Sequence, residues 1–358
     1  MIEISTAFIL LALLCIPISW LLPRDRALEG VSLWTLLGLS VLAPVAAGWL
    51  LLTSIAVPLF LSLGERTGMR NFLALLAVIL VLAGLIASRT LPGPVWVGIA
   101  FFTLRHLHVI GEWWMQRLAA PSLRSYLRYQ LFLPVIVVGP INRIEHFERQ
   151  LARRRWDAGE FLEGAERVLV GAFMAAVLGS WIAARIALEV DIATGTASPF
   201  LQDWAASAMD WIVLYFQFAG FSAVALGTAL MMGLRLEENF NRPWNSKNLL
   251  EFWTRWHMTL ARWVMDYVFR PVMAITRNAF FGLVAAMLAI GLWHEFSAYY
   301  VLWSFWQVLG IVLTRWGNKL VNGDTFPRLL RETVPPLIVL AWLSLSRPVV
   351  ERVLELIG

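Results

Sequence analysis

The chain has 358 residues, 59% of them hydrophobic and only 15% charged, with a mean hydropathy of +0.69. Soluble domains average about 45–50% apolar and about 25% charged residues, so a water-soluble globular fold is excluded, and disorder and collagen-like repeats with it. The 29 Lys and Arg exceed the 24 Asp and Glu to give a net charge of +5, which in a membrane protein reads as orientation through cytoplasmic loops and not as nucleic-acid binding.

A spanning helix needs about 20 mostly apolar residues. The first predicted span is 4–22, followed at once by Pro23, Arg24, Asp25 and Arg26. Positive charges follow it and none precede it, so it reads as a retained helix and not a cleaved signal, with the N-terminus extracytoplasmic. Residues 31–63 are apolar for too long to be one simple span, and Pro44, Gly48 and Pro58 make them a kinked helix or two shorter ones. Further spans are expected at 72–87, 95–114, 123–138, 165–188, 204–234, 279–293, 296–316 and 334–345. The reading is an all-α, polytopic integral membrane protein of about 9–11 transmembrane helices, with interfacial or re-entrant helices beside them.

Three polar stretches interrupt this pattern. Residues 142–167 carry Arg143, Arg149, Arg153, Arg154, Arg155 and Arg167, a density that favours the cytoplasmic side, and His146 within them reads as solvated. Residues 235–277 are charged yet rich in Trp and Phe, and 315–331 form a third basic loop with Arg315, Lys319, Arg328 and Arg331. No internal repeat or long hydrophilic linker divides the chain, so residues 1–358 read as one transmembrane domain.

Within the second stretch, Ser246 offers an N-cap to a helix running from Leu249 to Trp263. Helical spacing puts Phe252, Trp256, Trp263 and Tyr267 on one face and Arg255, Arg262, Asp266 and Arg270 on another. An interfacial amphipathic helix accounts for all of these except His257, which sits between the faces. A chemical role and an aromatic-packed, backbone-bonded imidazole both fit that histidine.

His294 and Glu295 interrupt a run that is otherwise apolar from Ala279 to Trp306. An ionisable pair at membrane depth costs several kcal/mol unless it is paired or faces a wet cavity, and so marks a site. A neutral imidazole with a pKa near its ordinary value of about 6.5 takes a proton from a hydroxyl at ambient pH. The competing reading is a helix-end pair in the interface, with Gly291 loosening the helix and Glu295 reaching water. His106 and His108 at i,i+2 point apart on a helix and have no third ligand, so no metal is expected. No phosphate loop, GxSxG elbow or HExxH is present, and the single cysteine, Cys15, lies in the first span, where a reactive thiolate is disfavoured.

Four blocks of this sequence resemble the membrane-bound O-acyltransferases. Val138-Gly139-Pro140-Ile141-Asn142-Arg143, then Phe147, is similar to a Gly-Pro-Ile-x-Arg…Phe block, and Phe218-Ala219-Gly220-Phe221-Ser222, then Gly227, to a Phe-x-Gly-Tyr-Ser…Gly helix. Asn239-Phe240-Asn241-Arg242-Pro243 followed by Phe252-Trp253-Thr254-Arg255-Trp256-His257 matches the family's Asn-Phe-Asn-x-Pro and Phe-Trp-x-Arg-Trp-His signature. Gly291-Leu292-Trp293-His294 matches its Gly-x-Trp-His element. The likeness covers an expected acyltransferase core of about 95–316 and is greatest to the bacterial polysaccharide branch, the alginate-type O-acetylases and teichoic-acid D-alanyl transferases. Glu295 stands where that branch usually has Gly, and Ala223 where many alginate-type members have Asp. The chain is also shorter than typical members, so a terminal helix or two is expected to be missing.

The resemblance implies a helical membrane fold with a central funnel, His294 at its centre and His257 on the cytoplasmic approach. Catalysis would fall to His294, as general base, and His257. Trp293, Trp303, Trp256, Arg255, Asn239, Asn241 and Glu295 would bind donor or substrate or wall the site. The donor would be an acyl thioester, acetyl-CoA or an acyl carrier protein, with no covalently bound cofactor. The acceptor would be a hydroxyl of an extracytoplasmic polysaccharide or an acyl-accepting protein, and a periplasmic SGNH-type acetyltransferase and membrane lipids are candidate partners. The location implied is the inner membrane. Rival readings are a secondary transporter or flippase with a His294–Glu295 proton relay, a non-catalytic scaffold, and a family member acting on a lipid or D-alanyl acceptor.

Overall fold

The computed structural model describes residues 2–91, 93, 95–320 and 328–357. The chain divides into two compact units, Met1–Gly171 with Phe221–Glu237, and Ala172–Gly220 with Glu238–Gly358. Every described element is helical.

In the first unit, α1 (Ile2–Leu21), α2 (Ala27–Leu42), α3 (Pro44–Thr67), α4 (Arg70–Thr90) and α5 (Ile99–Trp114) pack in sequence order. The long apolar stretch 31–63 resolves into two helices. Ala43 leaves the helical region at φ −152°, ψ 70°, and Pro44 opens α3 at the first helical position, where its fixed φ and missing N–H do no harm. Gly68 closes α3 in the left-handed conformation at φ +72°, which glycine adopts without a Cβ clash. Leu28, Leu39, Leu50, Leu61, Phe102 and Trp113 form the buried core.

The stretch 123–138 is not a span, contrary to the sequence expectation. It holds only the eight-residue α6 (Leu123–Gln130), capped by Ser122, and a 3-10 turn at Leu133–Val135. Arg124 and Arg128 on α6 bind Glu29, and Pro134 cannot donate the bond that would carry the helix on. The arginine-rich stretch folds as the amphipathic α7 (Ile144–Arg153), with Ile144 and Phe147 buried and Arg149 and Arg153 exposed. His146 is half-buried there, not solvated, and Arg154 is buried over the Trp20 ring at 4.1 Å. His106 bonds Thr53 (3.0 Å) and Tyr126 (2.6 Å), whereas His108 bonds Glu145 (3.1 Å), so the two rings serve different neighbours.

Residues 158–194 are helical throughout, as α8 (Ala158–Phe173), a π segment at Met174–Ile182 and α9 (Ala183–Thr194). The long α10 (Pro199–Met231) follows. Gly164 and Gly227, both in the first unit, let two backbones touch: a Cβ on either would stand within 2.7 Å of the other's carbonyl oxygen.

The second unit continues with three short helices, α11 (Leu249–Arg255), α12 (Met258–Val264) and α13 (Arg270–Thr276). It ends with three long ones, α14 (Ala279–His294), α15 (Ala298–Leu320) and α16 (Arg328–Ile357). Gly291 brings α14 against α15, where a Cβ would lie 2.3 Å from the Ser304 hydroxyl. Stacked Trp306 and Trp342 rings, 4.2 Å apart, join α15 to α16. Of the expected basic loop 315–331, Arg315 is exposed, while residues 321–327 and the side chains of Lys319, Arg328 and Arg331 lie outside the described residues.

Among the described residues five helical stretches are long and apolar enough to cross a membrane: Pro44–Thr67, Arg70–Thr90, Ala158–Thr194, Pro199–Met231 and Glu332–Ile357. Ala7–Leu21, Ala27–Leu42 and Ala279–His294 are shorter apolar helices. Helices as polar as α5, which buries Arg105, His106, His108 and Glu112, fall outside both sets.

Candidate active site

The candidate site lies wholly within the second unit and begins with a break in a helix. Asn248, not Ser246, caps α11: its backbone is extended and its side chain accepts the Glu251 N–H at 2.8 Å. The expected continuous helix from Leu249 to Trp263 does not form. Trp256 is extended, His257 is left-handed at φ +43°, ψ 54°, and α12 starts afresh at Met258.

The Asn239-Phe240-Asn241 segment accounts for the break. Asn241 N–H donates to the Arg255 carbonyl at 3.0 Å, Met258 N–H to the Asn239 carbonyl at 2.8 Å, and the Thr259 hydroxyl to Asn239 Oδ1 at 2.6 Å. These bonds occupy backbone groups at the break that a continuous helix would pair internally. The two most distinctive sequence blocks are therefore one structural device, a strap that opens a helix and turns one histidine inward.

His257 is 4% exposed. Its ring meets Phe218 edge-on at 4.8 Å and Trp293 at 6.1 Å. Burial, reinforced by the nearby His294, pushes its pKa down to about 3, so the imidazole is neutral at ambient pH. It lies between two seven-residue helices too short to span. Trp256 is buried beside it, stacked on Phe252 at 5.6 Å and edge-on to Trp211 at 5.5 Å.

His294 closes α14. Glu295 is extended, with its N–H on the Gly291 carbonyl at 3.1 Å, and it separates α14 from α15 close to where the expected spans 279–293 and 296–316 part. Both residues are exposed at a helix end, as the helix-end reading of this pair has it, and neither is buried. The His294 ring stacks on Tyr300 (5.5 Å, 16°) and approaches Trp293 (4.8 Å) and Trp303 (6.4 Å).

A cavity of about 300 Å³ joins these elements. His257, His294, Trp256, Trp303, Tyr299 and Tyr300 contribute to its wall, so the structure brings both histidines to one space. Trp293 touches both rings from behind the wall. Arg255, Asn239, Asn241 and Glu295 are not among the lining residues: Arg255 is held by Glu251 at 2.5 Å, and the two asparagines build the strap. The sequence reading missed Asp210 and Arg347, which also line the cavity. They are 137 residues apart, and each has further charges near it on its own helix, Asp203 on α10 and Glu351, Arg352 and Glu355 on α16, so nothing in the sequence singled them out.

The model of the family described as MBOAT, membrane-bound O-acyltransferase family, matches residues 95–345, which contain all four blocks and the whole strap. A probable alginate O-acetylase, AlgI, of Pseudomonas aeruginosa is 30% identical over 61% of this chain and 42% of its own. A teichoic acid D-alanyltransferase of Streptococcus thermophilus is 29% identical over 72% of this chain and 66% of its own. A peptidoglycan O-acetyltransferase of Helicobacter pylori is 27% identical over 62% and 42%. The chain spans about half the length of the curated relatives it matches. With a family match over most of its length, the chain belongs to the membrane-bound O-acyltransferase family.

Proposed function

We propose that the protein is a membrane O-acyltransferase that moves an acyl group, an acetyl by its likeness to O-acetylases, from a thioester to an extracytoplasmic hydroxyl. The observation that carries the reading is the shared cavity of His257 and His294, walled by Trp256, Trp303 and Tyr300. Acyl transfer needs a base for the hydroxyl, a donor for the developing oxyanion, and a wall that limits water. His294 takes the acceptor proton as its oxygen attacks the thioester carbonyl. The tetrahedral intermediate then collapses, the C–S bond breaks, and the proton passes to the departing thiolate. His257 is poorly suited to be that base, since an imidazole whose pKa is held near 3 gives little driving force for proton uptake. Its neutral ring instead offers a hydrogen bond to the oxyanion, and the aromatic wall limits hydrolysis.

The arginine-rich side of the chain faces the cytoplasm, where acyl-CoA or acyl carrier protein supplies the donor, and the N-terminus faces outward. The acceptor is a polysaccharide hydroxyl or a hydroxyl of a partner protein, a periplasmic SGNH-type acetyltransferase being one form of that partner. The location is the inner membrane. What the relatives' names say of alginate, teichoic acid and peptidoglycan supports a cell-envelope polymer as acceptor. His294→Gln is expected to lower transfer by about 10²–10⁴-fold at unchanged protein level. Release and mass spectrometry of acylated extracellular glycans from cells carrying each form checks this, and a wild-type yield from the variant would remove His294 from the mechanism.

A further inference from the structure

Two charged side chains stand at the cavity that no step of the proposed transfer uses. Asp210 lies eleven residues inside α10 and Arg347 ten residues before the end of α16. At about 1.5 Å per residue, each is roughly 15–17 Å into its helix. Both helices are among the five stretches apolar enough to span. Arg347 Nη1 donates to Asp210 Oδ2 at 2.6 Å and its Nε to Glu351 Oε1 at 3.1 Å. The pair is open, with the Arg347 side chain 46% exposed and that of Asp210 66%. An ion pair this exposed adds little to stability, so its place on the cavity wall and not its energy is what calls for an explanation.

The chemistry of the rim narrows what it can bind. One guanidinium faces two carboxylates, so the cluster is net negative and repels a carboxylate or phosphate on an incoming molecule. Hydroxyl groups suit it better. A carboxylate oxygen accepts an O–H, and the guanidinium keeps N–H groups beyond those spent on Asp210 and Glu351 with which to donate to a neighbouring oxygen. Tyr299 and Tyr300 line the same cavity and present flat apolar rings beside these groups, with Tyr300 stacked on the His294 imidazole. Adjacent donors and acceptors next to aromatic faces complement an uncharged sugar ring, whose hydroxyls are polar and whose C–H face is apolar.

From this arrangement we infer that Asp210 and Arg347 position the acceptor, and that the acceptor ring at this site is an uncharged polyhydroxyl ring such as a hexopyranose. The inference deepens the acyl-transfer reading and rests on it. The test is binding of cellohexaose and of hexagalacturonate to the full-length protein in nanodiscs. Wild type is expected to bind cellohexaose more tightly, and Asp210→Asn and Arg347→Gln each to weaken it by about tenfold or more. Asp210→Asn is also expected to strengthen hexagalacturonate binding, since it removes a repelling charge. The exchange Asp210→Arg with Arg347→Asp restores the ion pair between the helices. Continued loss of cellohexaose binding in that double variant supports positioning, and full recovery overturns it. Tighter hexagalacturonate binding by wild type, unchanged binding in both single variants, or no binding of either oligosaccharide overturns the inference as well. In transfer assays with cellohexaose the single variants raise the acceptor KM and leave kcat nearly unchanged, whereas a fall in kcat alone overturns it. The stated binding pattern from a protein that transfers no acyl group supports the sugar site and overturns the transfer reading by itself.

Discussion

His257 is held in two costly ways at once, with a left-handed backbone and a buried ring. The left-handed region costs a non-glycine residue about 1–2 kcal/mol, and such strain gathers at functional positions. Burial adds a pH dependence with a definite sign. The folded imidazole binds a proton only near pH 3, while the unfolded chain binds one below about 6.5. The contribution of this residue to stability is therefore complete above pH 6.5 and declines as pH falls toward 3. The unfolding midpoint in detergent is expected to drop between pH 7 and pH 4.5, and His257→Gln to flatten part of that drop. Parallel melts of the two proteins that stay parallel over this range contradict the assignment. At this scale much of the site was legible, because His257 and His294 each stand out against apolar or aromatic neighbours. The helix end at His294 was legible too, in the expected span 279–293 and the helix-end reading of the His294–Glu295 pair. Asp210 and Arg347 escaped because they meet across 137 residues, a pairing that only the fold reveals.

Among the elements, the pair α11 and α12 shows how tertiary bonds override periodicity. Nothing between Leu249 and Trp263 is Gly or Pro, and the helical pattern runs on unbroken, so sequence alone predicts one helix. The strap at Asn239–Asn241 takes over the backbone bonds near residue 256 and the pattern breaks there. The family signature marked both halves of this device without showing that they touch. The cap is a sharp test of the new boundary. Asn248→Ala removes the bond to Glu251 N–H and is expected to lower stability by about 1 kcal/mol, while Ser246→Ala leaves the cap in place. Thermal melts of the two variants check this, and a larger loss from Ser246→Ala would return the cap to the position the sequence suggested. The stretch 123–138 failed for the complementary reason: its apolar residues cover a short helix and a turn whose arginines answer Glu29.

For the whole molecule, composition showed a membrane protein, the apolar spans made it all-α, and charge asymmetry gave an orientation to test. Arg153 is exposed at the end of α7, and the single native cysteine, Cys15, is buried. Arg153→Cys is expected to react with a membrane-impermeant maleimide only after cells are permeabilised. Labelling in intact cells would invert the topology and with it the sides assigned to donor and acceptor. The two compact units were invisible in the sequence, because no linker separates them and the chain passes between them at 171–172, 220–221 and 237–238. This interleaving also sets an order of birth. The first unit has all its residues once 237 is made, while the stretch carrying both histidines is still to come. The unit without His257 and His294 can thus begin to settle in the bilayer before the stretch that carries those two histidines is made.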